Sequence, residues 1–199
     1  VLAYEENQGH NIITKKALWK IRAKKIILCT GAIERPIVFP DNDLPGIMLA
    51  ASARDYLQNY SVLLGDRLVL TTNNDSAYKT VIEFKHIGID VPVVLDARAS
   101  SDGPLVEEAK GLGIRILFGK CIGKVEGKRR VDAVGICSVN GEGTIEELIS
   151  CNAIAVSGGW TPNVNLWSHC GGKLIWDGDF GFYRPDPDNT PLGRDGETN

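Results

Sequence analysis

The sequence predicts an α/β fold in which one domain is interrupted by another, and three observations carry that prediction. From Gly65 onward, short apolar runs alternate with amphipathic stretches, the pattern of βαβ crossovers. The stretch "GKVEGKRRVDAVGICSVNGEGTIEELISC" then carries turn residues every several positions, which reads as an antiparallel meander of three strands. Finally, "IILCTGAIERP" and "AIAVSGGWTPN" are organised alike, each delivering an apolar run into glycine and proline. Two pieces of one sheet system, 1–64 and 151–199, therefore bracket an inserted unit at 65–150.

Taken in order, "VLAYEENQG" reads as a strand, and "ALWKIRAKK" as an alternating segment after a polar turn. The unbroken run Ile26-Ile27-Leu28-Cys29 suits a strand covered on both faces. Three prolines in "AIERPIVFPDNDLPG" forbid a helix and impose a turning loop. Leu49, Ala53, Tyr56, Leu57 and Tyr60 then fall at helical spacing and form one apolar face.

In the inserted unit, residues 67–72 are a strand and Ala77, Val81 and Phe84 mark a helix face ending at Gly88. "VPVVLD" is the next strand. Asp102 is placed to cap a helix with Pro104 in its first turn, and "IRILF" supplies a third strand. Past the meander, "NAIAV" is a buried strand, and Pro162-Asn163 open a short helix ending near Trp167. Val1 is not a methionine and the tail "RPDPDNTPLGRDGETN" is polar, so both ends are expected to be cut from a longer chain.

Composition narrows the function. The 22 basic and 25 acidic residues leave a net charge of −3 spread along the chain, which gives no electrostatic footprint for nucleic acid or anionic lipid. No apolar run approaches a membrane span and no signal-peptide pattern opens the chain, so a cytoplasmic protein acting on small molecules is expected. The five cysteines are odd in number, widely spaced and without a C-x-x-C pair. They are expected to be reduced and mostly buried, with no disulfide framework, no zinc site and no dithiol redox centre. The three histidines are far apart and offer no metal cluster. The four tryptophans are most simply packing residues, although Trp160, next to a glycine pair, is placed to face a cofactor. His169-Cys170 are mere chain neighbours, and Glu107 and Glu108 diverge on a helix, so neither pair makes a catalytic dyad.

The turn in "RLVLTTNNDSAYKT" is the first candidate site. A dinucleotide loop places glycines for a tight turn and for close approach to pyrophosphate, then a small residue where the helix packs. Thr72, Asn74 and Ala77 stand at those three positions. Ala77 is small enough, Asn74 can adopt a left-handed backbone but fills phosphate space, and Thr72 is β-branched. Asp75 and Ser76 are placed to cap the helix, and Asp96 ends the next strand where an acidic residue accepts hydrogen bonds from a ribose. The crossover reads either as structural or as a site that grips a nucleotide through side chains. Thr30-Gly31-Ala32, followed by Arg35, and the pair Gly158-Gly159, followed by Pro162, form two further turns where backbone can approach a flat cofactor.

Read together, "TGAIERP", "NNDSA" and "SGGWTPNVNLW" resemble flavoproteins of the pyridine-nucleotide disulfide reductase fold, and more narrowly the alpha-subunit family of heterotetrameric sarcosine oxidases. The resemblance covers nearly the whole chain to about Asp177. It implies an incomplete FAD/NAD(P)-binding Rossmann-like outer domain, with the inserted unit as a second NAD(P)-binding-like domain. It further implies NAD in the intact alpha subunit, held against the segments of Thr30, Gly31 and Ala32 and of Gly158 and Gly159, which are expected to wall one groove. FAD and FMN are implied for the intact complex, beta, gamma and delta-type subunits as partners, and a small-molecule amine as substrate. The reaction implied is oxidative demethylation of sarcosine to glycine, formaldehyde and hydrogen peroxide. This chain then contributes cofactor binding and assembly but no catalytic group. The rivals are a non-redox nucleotide-binding or assembly scaffold and a related amine or opine oxidase subunit.

Overall fold

The structure, a computed structural model, describes residues 2–6 and 16–191. The chain opens with strands β1 (Leu2–Glu6), β2 (Lys16–Lys20), β3 (Ala32–Glu34) and β4 (Ile47–Leu49), then helix α1 (Ala50–Tyr60). Strand β5 (Leu68–Thr72) passes through one 3₁₀ turn (Asp75–Ala77) into α2 (Tyr78–His86), β6 (Val94–Asp96), α3 (Pro104–Gly111) and β7 (Ile116–Phe118). Then come β8 (Lys120–Gly127), β9 (Val131–Ser138), β10 (Glu147–Ser150) and β11 (Ala153–Ser157). Strand β12 (Trp160–Pro162), helix α4 (Asn165–His169) and strands β13 (Leu174–Asp177) and β14 (Phe182–Pro185) finish the described residues.

Two compact units divide the chain: Ala32–Thr161, and a second made of 1–31 with 162–199. The larger is built on a five-stranded parallel sheet in the order β4-β11-β5-β6-β7. A parallel sheet needs both faces covered, and alternation along each strand supplies two apolar surfaces. Leu68, Leu70, Val94, Ala153 and Ala155 pack with Ala53 of α1, Val81 and Phe84 of α2, and Val106 of α3. Val69, Leu95, Ile154 and Val156 pack with Val125, Val134, Ile136 and Ile149 of the antiparallel sheet β10-β9-β8, the expected three-stranded meander. Each fully buried Val, Leu, Ile or Phe among them contributes about 1.5–3 kcal/mol.

The division expected at 65 and 150 is drawn differently by the sheet. β4 and β11 lie outside those limits, yet Ile154 pairs with Ile47 on one side and Val69 on the other. They belong to the sheet of the βαβ units because parallel pairing, invisible in local pattern, puts β11 between β4 and β5. Local caps differ as well. Gly103, not Asp102, is the N-cap of α3, with Pro104 in the first turn. Helix α1 has no side-chain cap of its own, and the buried Glu34 of β3 accepts a 2.9 Å bond from Ala51 N–H. A carboxylate there meets the positive end of the helix dipole. Ala53 is buried as expected on the α1 face, but Tyr56 and Tyr60 are exposed.

In the smaller unit, β1 and β2 form an antiparallel pair from Leu2↔Lys20 to Glu6↔Lys16. β13 and β14 form another, with Trp176 and Tyr183 in edge contact at 5.0 Å. Residues 21–31 contain no strand, and Ile26, Ile27, Leu28 and Cys29 are exposed, so the doubly covered strand expected there does not form. Three of the tryptophans expected to pack, Trp19, Trp160 and Trp176, are exposed too. Of the cysteines, Cys137 and Cys151 are buried, Cys121 is intermediate, and Cys29 and Cys170 are exposed; all five are free thiols, though fewer are buried than expected. Among the described residues no helix is long and apolar enough to cross a membrane, and no group of side chains is placed to hold a metal ion.

Candidate functional site at the sheet switch point

From β5 the chain builds outward through β6 and β7, then returns to place β11 on the opposite side of β5. That reversal makes the carboxyl ends of β5 and β11 a topological switch point, where ligands bind in open α/β sheets. The sequence singles out Asn74, Ser76, Gly158 and Gly159, and the fold brings their segments together there.

The crevice between the two strand ends is laced by side chains. Thr72 Oγ1 accepts from Asn74 N–H at 3.1 Å, closing the turn on itself. Asn74 has φ −149° and ψ 155°, so its backbone is extended and the left-handed conformation open to an asparagine is not used. Its amide Nδ2 instead crosses to β11, donating to Ser157 Oγ at 3.0 Å and Ser157 O at 3.3 Å. Asn74 Oδ1 accepts from Ser76 Oγ at 2.6 Å, which in turn accepts from Trp160 Nε1 at 2.8 Å. Trp160, which the sequence places either in packing or against a cofactor, thus spends its one donor on the turn. Asn73 N–H adds a backbone bond to Ser157 O at 3.3 Å.

Beside this lattice sits an ionic cluster. Asp96 is fully buried at the end of β6, and its carboxylate accepts from Tyr78 OH at 2.8 Å, Arg98 N at 3.0 Å, Arg98 Nε at 3.0 Å and Arg98 Nη2 at 2.7 Å. Both oxygens are therefore engaged, and the ribose-binding role expected of Asp96 is filled by the protein's own donors. Arg98 Nη2 also lies 2.7 Å from Asp75 Oδ1, which accepts from Ser101 Oγ at 2.9 Å. Asp75 and Ser76, foreseen as caps, do not cap α2: neither the 3₁₀ turn nor α2 has a side-chain cap. Asp75 reaches across to the start of α3 instead, so close that a Cβ on Gly103 would lie 2.0 Å from its Oδ2.

These contacts set the ionisation. Burial alone would raise Asp75, but hydrogen bonds from Arg98 and Ser101 and the Arg98 charge together hold it below the usual carboxylate range. Burial, then the hydrogen bond to Asp96 and its charge, pushes the Tyr78 phenol well above its ordinary value. The bond to Asp96 is the largest influence raising Arg98, whose charge is thereby fixed. Arg98, Tyr78, Ser101, Ser157 and Glu34 escape a reading of the sequence. Asp96-x-Arg98 is the one local signal, since a guanidinium two residues past a strand-end carboxylate can fold back on it; the other contacts span many residues.

The remaining predicted residues fall into local pairs. Arg35 N–H donates to Gly159 O at 2.8 Å and Gly158 N–H to Arg35 O at 2.7 Å. A Cβ on Gly158 would stand 2.8 Å from Pro36 O, so this glycine admits a neighbouring backbone. Gly159 needs its glycine for φ 87°. Ala32 opens β3 and is exposed. In the smaller unit, Thr30 Oγ1 donates to Asn163 O at 2.6 Å and Asn163 N–H to Gly31 O at 2.9 Å. Gly31, at φ 70°, has open space where a Cβ would stand, and Pro162 ends β12 half-buried.

A dinucleotide held in the usual way does not fit the switch point. Backbone cannot approach a pyrophosphate through the Asn74 amide, and Asp96 has no free oxygen. A recess of about 150 Å³ beside β4, lined by Phe39, Met48 and Val156, is below the roughly 300 Å³ of ordinary small-molecule pockets.

Comparison with known proteins supplies the context. No family model matches the chain. The alpha subunit of sarcosine oxidase from Corynebacterium sp. (strain P-1) is 38 % identical over 178 residues, covering 87 % of this chain and 18 % of that protein. An opine oxidase subunit from Rhizobium meliloti is 25 % identical over 192 residues, 85 % of this chain and 35 % of that one. Thioredoxin reductase from T. acidophilum superposes with a TM-score of 0.60 at 16 % identity, covering 85 % of this chain and 57 % of that structure, which shows the fold alone. The chain thus spans less than a fifth of the length of the sarcosine oxidase polypeptide it matches.

Proposed function

Since this chain is homologous to one segment of the sarcosine oxidase alpha subunit, we propose that it is part of a flavin-dependent oxidoreductase acting on sarcosine or a close N-methyl amino acid. The overall change is R–NH–CH₃ + O₂ + H₂O → R–NH₂ + HCHO + H₂O₂. The amine is oxidised by two electrons and oxygen reduced by two. FAD and FMN of the intact complex supply that electron transfer, and beta, gamma and delta-type subunits complete the enzyme. The observation that carries this reading is the 38 % identity along 178 residues.

The chain's own part is architectural. Its parallel sheet and meander belong to one compact unit in which the switch point is closed by Asn74, Ser157, Ser76 and Trp160 and braced by Asp75, Asp96 and Arg98. NAD of the intact polypeptide belongs to the outer domain, where Thr30 and Gly31 are candidates, and not to the β5–α2 turn. A related opine oxidase is the second reading, favoured by the 25 % identity to the Rhizobium meliloti opine oxidase chain.

The test uses the full-length polypeptide co-purified with its native partners. Sarcosine should release formaldehyde and hydrogen peroxide in equal amounts from a yellow, flavin-bearing complex. Peroxide from an opine but not from sarcosine would install the second reading, and a flavin-free complex inert to both would overturn the oxidase assignment.

A further inference from the structure

β8 and β9 carry a pair of thiols that no part of the proposed reaction uses. Cys121 and Cys137 stand directly opposite in the antiparallel register, flanked by Lys120↔Ser138 and Ile122↔Ile136. Their Sγ atoms are 3.5 Å apart. Directly opposed residues in such a ladder have Cα atoms about 4.5–5.5 Å apart, inside the range a disulfide spans. Forming the bond, about 2.05 Å long, asks the sulfurs to close by roughly 1.5 Å, a side-chain rotation and not a strand movement.

The two thiols are unequal. Cys137 is buried, its Sγ lying so near Gly123 that a Cβ there would stand 2.9 Å away. Cys121 is partly exposed. We propose that Cys121 and Cys137 form a reversible cross-strand disulfide, with Cys121 the residue that meets the oxidant and Cys137 the one that resolves it. The oxidant class is a peroxide. The Cys121 sulfur attacks one peroxide oxygen, the O–O bond breaks, and Cys121 becomes a sulfenic acid with release of water. The Cys137 sulfur then attacks the Cys121 sulfur, the S–O bond breaks and a second water leaves. In sum, two thiols are oxidised and one peroxide is reduced to two waters.

Burial, then the hydrogen bond and charge of Cys137, pushes the Cys121 thiol up to about 11, against a smaller opposing influence of Lys120. Cys121 is accordingly protonated at rest and reacts only under sustained peroxide, since the thiolate is the nucleophile. A cross-link would pin the β8–β9 register two residues from Gly119, whose N–H donates to Arg98 O at 2.8 Å. That peroxide arises beside this segment in the cell rests on the oxidase reading; the geometry of the pair does not.

The experiment adds hydrogen peroxide to the wild-type chain, blocks free thiols with iodoacetamide, and maps unreduced peptides by fragmentation mass spectrometry. A peptide linking Cys121 to Cys137, lighter by two hydrogens and abolished by dithiothreitol, is expected. In Cys137→Ser, Cys121 should stop at the sulfenic or sulfinic acid, and in Cys121→Ser, Cys137 should stay reduced. Full alkylation of Cys121 after peroxide, or its conversion to sulfinic acid in the wild type without any cross-link, would overturn the proposal whatever the enzyme's substrate proves to be.

Discussion

Ile26-Ile27-Leu28-Cys29 and Ala153-Ile154-Ala155-Val156 are runs of the same kind with opposite fates. The second is 0–3 % exposed within the parallel sheet. In the first, Ile26, Ile27 and Leu28 are 59, 87 and 38 % exposed, and no strand forms. Nothing in the residues separates them. What differs is the company: β11 has β4 and β5 as partners, while residues 26–29 pair with no strand among the described residues. An apolar run specifies what a strand must bury, and burial itself belongs to the neighbours.

The largest test of that contrast is a charge in each run. Ile154→Asp sets an unpaired carboxylate between two covered faces, which costs more than a domain of this size has to spare. The cooperative urea transition of 32–161 should vanish. Ile27→Asp should leave that transition unmoved within about 0.5 kcal/mol, as surface changes do. Equal damage from both would show that residues 26–29 are buried in solution and that the comparison is wrong.

The same contrast explains what could be read beforehand. The βαβ pattern, the meander and Pro104 at the start of α3 are legible because period and turn chemistry are local. The order β4-β11-β5 is not, because parallel pairing joins Ile47, Ile154 and Val69 across more than eighty positions. At the site, the loss of the glycines is visible in Thr72 and Asn74, but not what replaces them: the crossing of Asn74 to Ser157 and the return of Arg98 onto Asp96 are three-dimensional facts.

A sharper comparison lies within the ionic cluster, where one guanidinium joins a buried carboxylate to a partly exposed one. Asp96→Ala strands Tyr78 OH beside an empty space and leaves Arg98 only its partly exposed partner Asp75. Breaking a fully buried pair costs about 3–5 kcal/mol; with Arg98 30 % exposed and still paired with Asp75, the loss should lie toward the lower end of that range, and the urea midpoint should fall accordingly with an unchanged slope. A loss under about 1 kcal/mol, the scale of an exposed pair, would mean that water replaces the carboxylate, and the switch point would then be open to ligands after all.

Asp75 should show the smallest effect, and its value lies in the sign. Its side chain is 38 % exposed and its partner Arg98 retains Asp96, so screening leaves the Asp75–Arg98 contact weak at neutral pH. Because folding lowers its pKa, the unfolded chain binds the proton more readily, and stability from Asp75 is complete above the ordinary carboxylate pKa. It is lost as pH falls below about 4 and through the folded-state value. Half-buried Glu147 and Asp186 are lowered in the same direction, so the wild-type acid limb is a sum. The difference between wild type and Asp75→Asn isolates the one group: the two stability curves should be offset at neutral pH and converge in acid. Curves that stay parallel down to about pH 2, below the ordinary carboxylate range, would show that Asp75 works through packing against Gly103 and α3, with its charge contributing nothing.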